Sequence, residues 1–520
     1  MPRSKPRLRF LHPLLFGLVP ILSLLAHNID GAPLLHAVRP TAISLLFSLA
    51  VLLAFRGLVK DWEHAALLSS FLLMLFFSYG HVYLGLVVEG TQGFFRSLGI
   101  VGRHDVLLLA WAGVFALGAF AIYRIRTLRP VLTQLFLVMG AVALLFPILQ
   151  IGSHEVQLAR PWPGTPPLPL AGRSAGRPDI YLIILDGYAR ADILADIYGF
   201  DNRGFRDSLR DRGFYVAARS RSNYIQTGLS LASILNMSYL DFLSEDLGEL
   251  SDNRTPLARL IRWSRLREFL EQSGYSIVGL ASGYRVTELE NADVYLAAPV
   301  GAPTTLERLT LETSATVVLR DLASALGQPP LLPGYEAHRE RMLFSLETLK
   351  QVPQLPGPKF VLAHFLIPHP PFVFDANGNA PEQKYPFTMM DGSAFLGSTD
   401  EYIQGYRQQV AYTNRVILEV VDAILSESAG PPVIVIQGDH GPGSRLVWES
   451  AEETDLQERS SILNAYHLPG FPVEKLYPEL TPVNSFRLIL DQYFGTGLGL
   501  LPDRSYFSTW DQPYQFIPID

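Results

Sequence analysis

Five apolar stretches follow one another in the first 151 residues of this 520-residue chain, and they limit its fold more than anything else in it. They are Phe10–Ala26, Thr41–Phe55, Ala65–Val88, Val106–Tyr123 and Val131–Ile151. Crossing the hydrocarbon core of a bilayer takes about 20 apolar residues. The second stretch reaches that length once Leu58 and Val59 are counted. Arg3, Lys5, Arg7 and Arg9 precede the first, as in a secretory signal, but four more stretches follow at once, so it reads as a retained anchor. The expectation is a five-helix transmembrane bundle, multi-pass in the cell membrane. Basic residues collect at the amino terminus, at Arg56 and Lys60, and at Arg124, Arg126 and Arg129, whereas the alternate loops hold only Arg39, and Arg96 with Arg103. Basic loops stay cytoplasmic. The amino terminus is therefore expected inside, and an odd number of spans places everything after Ile151 on the extracytoplasmic side. Tyr79 and His81, in the third stretch, come nearest to a polar site within the spans. Such scarcity of intramembrane ionisable residues favours an anchor over a transporter with an outer cap.

The remainder differs in kind. Residues 1–151 hold 12 Lys or Arg against 5 Asp or Glu, and the rest of the chain holds 30 against 44. Without a Lys/Arg tract, no nucleic-acid partner is expected. There is no cysteine, which excludes disulfides, thiolate nucleophiles and Cys-ligated zinc. Residues 152–177 crowd Pro161, Pro163, Pro166, Pro167 and Pro169 among glycines and read as an extended, semi-rigid spacer. Three segments are expected: a membrane domain over 1–151, this linker, and an extracytoplasmic domain over 178–520.

In that last domain, chemistry gathers at strand ends. Tyr181–Leu185 is an uninterrupted apolar run that ends in Asp186-Gly187, the signature of a strand buried on both faces. Lys359–Phe365 is a second such run, with His364 near its end and His369 just beyond. Pro432–Gln437 is a third and leads into Gly438-Asp439-His440-Gly441. Helical spacing separates the strands, which is the pattern of a doubly wound α/β sheet, and open sheets bind ligands beyond their carboxyl ends. A helix is expected to begin near Thr227, where its free N–H groups and dipole would favour an anion. Each feature also has a structural reading. Asp186 or Thr227 could cap a helix, and a histidine among prolines could be a turn residue. His467 is read as a core residue, Arg445 as a surface residue, and Glu458 with Arg459 as a surface ion pair.

Taken together, Asp186, Asp439 and His440 would hold a divalent cation, with the Thr227 hydroxyl completing the shell. Thr227 would then be the nucleophile toward a phosphoryl or sulfuryl centre, through a covalent ester intermediate. His369 and His364 would bind the substrate's anionic oxygens, and His369 would protonate the leaving group.

These residues resemble the alkaline phosphatase superfamily, in particular its membrane-anchored, sulfatase-like branch. The points of resemblance are the strand ending in Asp186-Gly187, the segment Ser222–Ser233 (S-N-Y-x-Q-T-x-L-S-L-A-S), His364–Phe372 (H-x-x-x-x-H-P-P-F) and Gly438–Gly441 (G-D-H-G), in order over about residues 178–500. Five spans before such a domain are similar to the lipoteichoic acid synthases. The resemblance implies an alkaline-phosphatase/sulfatase-like domain with Asp186, Thr227, Asp439 and His440 as ligands of one divalent metal, which could be manganese, zinc, magnesium or calcium. A second ion at His364 and His369 is the alternative. It also implies an anionic phosphate or sulfate ester as substrate, lipid-linked in the lipoteichoic acid synthase type, and transfer of a phosphoglycerol or phosphoethanolamine type group. No cysteine or serine stands in the C/S-x-P-x-R motif of the arylsulfatases, Asp186 stands where the transferases usually have Glu, and the D-x-x-G-H set of two-metal members is missing. A hydrolase of a soluble ester and a non-catalytic scaffold are the rival readings.

Overall fold

The structure is a computed structural model and describes residues 10–29, 31–86, 100–163, 168, 177–298, 304–328 and 334–519. The basic residues of the amino terminus, Val88 with Arg96, and most of the expected linker lie outside the described residues. The chain divides into two compact units, residues 1–156 with 301–334, and residues 157–300 with 335–520.

In the first unit every expected apolar stretch forms a helix: α1 (His12–His27), α2 (Val38–Val59), α3 (Trp62–Leu84), α4 (Ile100–Arg124) and α5 (Arg129–Leu158). Among the described residues, four helical segments are long and apolar enough to cross a membrane, Leu34–Val59, Trp62–Leu84, Arg103–Arg124 and Arg126–Leu158. The first helix, α1, has 16 residues. At about 1.5 Å per residue it spans roughly 24 Å, less than the ~30 Å hydrocarbon core. The expected five crossing helices thus become four of sufficient length and one shorter apolar helix. Small residues let α1 and α2 approach closely: a Cβ on Gly17 would lie 2.2 Å from Ser48 Oγ, and the Ser44 hydroxyl donates to the Gly17 carbonyl.

Helices Thr305–Thr313 and Val317–Ala325, although far along the chain, belong to this unit. Glu307 accepts from Arg39 through both carboxylate oxygens, at 2.8 and 2.7 Å. Asp321 is buried and accepts from Tyr83 at 2.8 Å, while His104 Nε2 lies 3.1 Å from the same oxygen and Tyr79 closes the group on His104 Nδ1 at 2.9 Å. His81 faces outward. The polar centre of this unit is therefore Tyr79, Tyr83, His104 and Asp321, of which only Tyr79 is evident from the spans alone.

The second unit is built on a seven-stranded sheet in the order β2-β7-β6-β1-β5-β3-β4. Its strands are β1 (Ile180–Leu185), β2 (Tyr215–Val216), β3 (Ser276–Leu280), β4 (Val294–Leu296), β5 (Lys359–Phe365), β6 (Val433–Gly438) and β7 (Asn464–His467). The five from β6 to β4 run parallel, β7 runs antiparallel to β6, and β2, antiparallel to β7, returns to the direction of the five, so the α/β sheet is mixed. The apolar runs have a simple cause. Ile180, Leu182 and Ile184 of β1 pack into one core, while Tyr181, Ile183 and Leu185 pack into another on the opposite face. β5 and β6 divide in the same way. Both faces of the central strands are covered, so they do not alternate with polar residues, and Lys359, His364 and Gln437 stand only near strand ends.

Lys359 begins β5 and is 1% exposed. It donates to Asp179 Oδ2 at 2.5 Å and to the carbonyls of Leu355 and Pro353. A Lys359→Met substitution leaves the Asp179 carboxylate without its partner. It is expected to destabilise this unit by about 3–5 kcal/mol, measured as a lower unfolding midpoint. The double change Lys359→Met/Asp179→Leu should recover much of that loss.

Candidate active site

Strand register decides where the chemistry meets. Leu185 pairs with Phe365 on one side and with Gly438 on the other, so the three central strands end level. The next residues of β1 and β6, Asp186 and Asp439, therefore emerge side by side. Gly187 follows Asp186 with a φ of +68°, a left-handed turn that glycine adopts without strain. Its N–H donates to Asp439 Oδ1 at 3.0 Å, tying the two strand ends together. Gly441 serves another need: a Cβ there would lie 2.0 Å from the Glu458 carbonyl oxygen, so only glycine admits the chain.

His440 closes the group. Its Nδ1 lies 2.9 Å from the Gly441 carbonyl, and Arg459 Nη2, which can only donate, lies 3.3 Å from its Nε2. Nδ1 thus carries the proton and Nε2 presents a lone pair. Around that lone pair stand Asp439 Oδ2 at 3.3 Å and Asp186 Oδ1 at 3.6 Å, two buried carboxylate oxygens with no hydrogen-bond partner. Ligand atoms of Asp186, Asp439 and His440 all lie within 4.8 Å of one another. Two buried carboxylates this close repel unless a cation stands between them. Their orphaned oxygens and the His440 lone pair form a set that a divalent ion fits.

Thr227 is the first residue of helix α6 (Thr227–Asn236), whose cap is Gln226. Its hydroxyl is not used in capping and lies 3.1 Å from His440 Nε2. The cap expected at this threonine is thus displaced by one residue, and the hydroxyl is free to join the cluster.

The other two histidines turn elsewhere. His364, on β5, is buried behind Asp186, with Nε2 3.2 Å from Asp186 Oδ2 and Nδ1 2.8 Å from the Thr287 hydroxyl. His369 lies on the wall of a 460 Å³ cavity that Asp186, Thr227 and His440 also line. Its Nδ1 is held by the Pro370 carbonyl, and its Nε2 is 3.6 Å from Asp391 Oδ2. Burial raises the Asp186 carboxyl, but His369, His364 and His440 outweigh it and hold that group below the usual range. Burial, with Arg459 beside it, lowers the His440 imidazole.

Two buried charges were not anticipated at the site. Arg459 is 1% exposed, contrary to the expected surface pair with Glu458. It donates to Asp391 Oδ2 at 2.7 Å, to the Gly441 carbonyl at 3.0 Å and to the Ile225 carbonyl at 3.1 Å. Glu458 turns the other way, accepting from the Tyr198 and Ser444 hydroxyls and from the Arg445 N–H at 2.9 Å, and burial raises its carboxyl. Asp391, which also accepts from Tyr402, comes from a segment whose only regular structure is one 3-10 turn, Gly392–Ala394, so no periodicity marked it. Arg445 pairs with Asp455 at the surface, as expected. His467, expected as a core residue, is only half-buried; it is paired in β7 and lies 2.9 Å from the Pro432 carbonyl, at the opposite end of β6 from Asp439.

His338 lies near these groups and is 1% exposed. Burial pushes its imidazole down to about 3 from an ordinary 6.5. Between those values the unfolded chain binds the proton and the folded one does not, so this residue makes stability fall as pH drops from 6.5 toward 3. A His338→Phe variant should show a flatter unfolding midpoint between pH 7 and 4 than the parent chain, measured by thermal denaturation.

Residues 266–486 match the Sulfatase family model. No curated protein matches the chain significantly. Among solved structures, the C-terminal periplasmic domain of EcEptC from Escherichia coli is 13% identical, with 68% of this chain and 96% of that one covered at a TM-score of 0.41. The integral membrane lipooligosaccharide phosphoethanolamine transferase A (EptA) from Neisseria meningitidis is 12% identical, covering 94% and 95% at 0.38. A putative sulfatase from Bacteroides thetaiotaomicron is 14% identical, covering 65% and 74% at 0.37. The chain is thus similar to the sulfatases over residues 266–486, less than half of its length.

Proposed function

We propose that this chain is a membrane-anchored, metal-dependent enzyme that transfers a phosphoryl-linked group, of phosphoglycerol or phosphoethanolamine type, through a covalent ester on Thr227. The observation that carries the reading is the Thr227 hydroxyl, unspent in capping and 3.1 Å from His440 Nε2 at the edge of a buried Asp186, Asp439 and His440 cluster. A divalent ion held by these four residues would supply positive charge opposite the ester's oxygens and would acidify the hydroxyl. The chain's own residues do the rest. Thr227 Oγ1 releases its proton to water in the cavity and forms the bond to phosphorus as the ester's P–O bond breaks. The first turn of α6 offers N–H groups without an intrahelical acceptor to the non-bridging oxygens. His369 protonates the departing oxygen; an acceptor alcohol then gives its proton to the neutral His369 and bonds to phosphorus as the Thr227 Oγ1–P bond breaks. His364 supports Asp186 from behind.

One ion is the preferred reading, because the ring nitrogens of His364 and His369 face different partners. With the short first helix counted as a span, Arg56, Lys60, Arg124, Arg126 and Arg129 fall on one side of the membrane, which supports an extracytoplasmic catalytic domain. The anchor would keep that domain beside lipid-linked donors.

Full-length protein in detergent is expected to hold about one divalent ion per chain, lost in Asp439→Ala, by elemental analysis. Thr227→Ala should keep the ion and lose activity toward a lipid-linked phosphodiester by at least ~10³-fold. Absence of any bound ion from folded protein offered manganese, zinc and magnesium would refute the reading. Activity on a soluble ester alone would favour the hydrolase.

A further inference from the structure

The cavity at Thr227 holds two arginines of very different standing. Arg459, at its floor, is bonded to Asp391 and two carbonyls. Arg254, which lines the same cavity, has no carboxylate within ion-pairing distance among the described residues. Its guanidinium stacks on the Trp510 ring, 4.2 Å from the centroid. Its Nη2 donates to the Trp510 carbonyl and, at 3.2 Å, to Gln226 Oε1, and its Nη1 lies 3.4 Å from the Asp252 carbonyl. All three acceptors are neutral, and Nε is unspent. Gln226 itself is clamped by the carbonyls of Ser508 and Thr509, so the residue next to the candidate nucleophile holds the cation at a set distance from it. Between them the wall is apolar: Leu257 and Val286 lie against Gly228, and Leu229 follows. Glu449 and Asp511 also line the cavity, both exposed, and neither pairs with Arg254.

A cation whose charge no side chain neutralises, stacked on an aromatic face with donors to spare, is an arrangement that recognises anions. We propose that Arg254 and Trp510 form a second anion subsite of this cavity, so that the preferred ester carries an apolar body and, beyond it, a second anionic group. The subsite rests on the ester-handling function proposed above and names its substrate class. Trp510 holds the guanidinium in place from one side, Leu257 and Val286 line the path of the apolar body, and Arg254 pairs with the remote charge. A soluble ester and a lipid headgroup can both offer this chemistry.

The test is binding rather than turnover, so it stands apart from the test of Thr227. Isothermal titration of full-length protein in detergent compares alkyl phosphates of increasing chain length with their ω-carboxylate analogues. At the matching length the analogue is expected to bind about 10- to 100-fold more tightly. Arg254→Gln should abolish that preference, and Arg254→Lys should keep part of it, because it retains the charge and loses the planar stack. A second arm reconstitutes the chain in nanodiscs and compares bound phosphatidylserine with phosphatidylethanolamine, which differ by one carboxylate, using native mass spectrometry. A preference for phosphatidylserine that depends on Arg254 places the anion on a lipid, and a preference seen only with the alkyl phosphates places it on a soluble ester. Equal binding of alkyl phosphate and analogue at every length, or a preference that survives in Arg254→Gln, would overturn the subsite while leaving the metal and Thr227 tests untouched.

Discussion

The site depends on two carboxylates brought level at the ends of adjacent parallel strands. Because Leu185 pairs with Gly438, Asp186 and Asp439 leave the sheet together, and the Gly187 N–H locks the second to the turn after the first. Both side chains are buried, and each keeps an oxygen that no protein group satisfies. Such a pair is unfavourable by itself. What surrounds it is arranged to accept a cation: a His440 lone pair, a threonine hydroxyl, and His364 behind.

A second buried layer supports this one. Asp391 balances Arg459, and Arg459 in turn contacts His440 and the Gly441 carbonyl. Tyr402 joins the layer twice, donating to Asp391 and accepting from the Gly443 N–H at 2.9 Å. Arg459 thus approaches His440 at Nε2, the nitrogen that also faces the carboxylates. The charge of Arg459 is spent on Asp391, which leaves Arg254 as the cation lining the cavity with only neutral partners.

Most of the fold was legible for a physical reason. A strand covered on both faces must be apolar throughout, and a membrane helix must be apolar over about 20 residues. β1, β5 and β6 therefore appeared within about a residue of their observed bounds, as did the helix at Thr227. Where a segment's environment is mixed, legibility failed. The short first helix crosses the apolarity threshold without the length. Between β2 and β3 the chain breaks at Trp263-Ser264, where Ser264 caps a further helix, a boundary that helical spacing alone does not mark. The reversed direction of β7 was not legible, because it depends on pairing rather than on pattern.

The amino-acid sequence alone determined which residues could carry the chemistry, because Asp186, Asp439, His440, Thr227 and His369 stand at element ends that its periodicity marks. It could not determine which charges share a cavity, since that depends on contacts between distant segments. Asp391 and Arg459 are 68 residues apart and meet at 2.7 Å, and Arg254 meets Trp510 across 256 residues. Tertiary structure alone decided that His364 backs Asp186 while His369 faces the cavity, and that Glu458 and Arg459, neighbours in the chain, point to opposite partners. Register supplied the reason: residues one step past paired strand ends are forced together, while side chains on irregular segments are placed only by what they pack against.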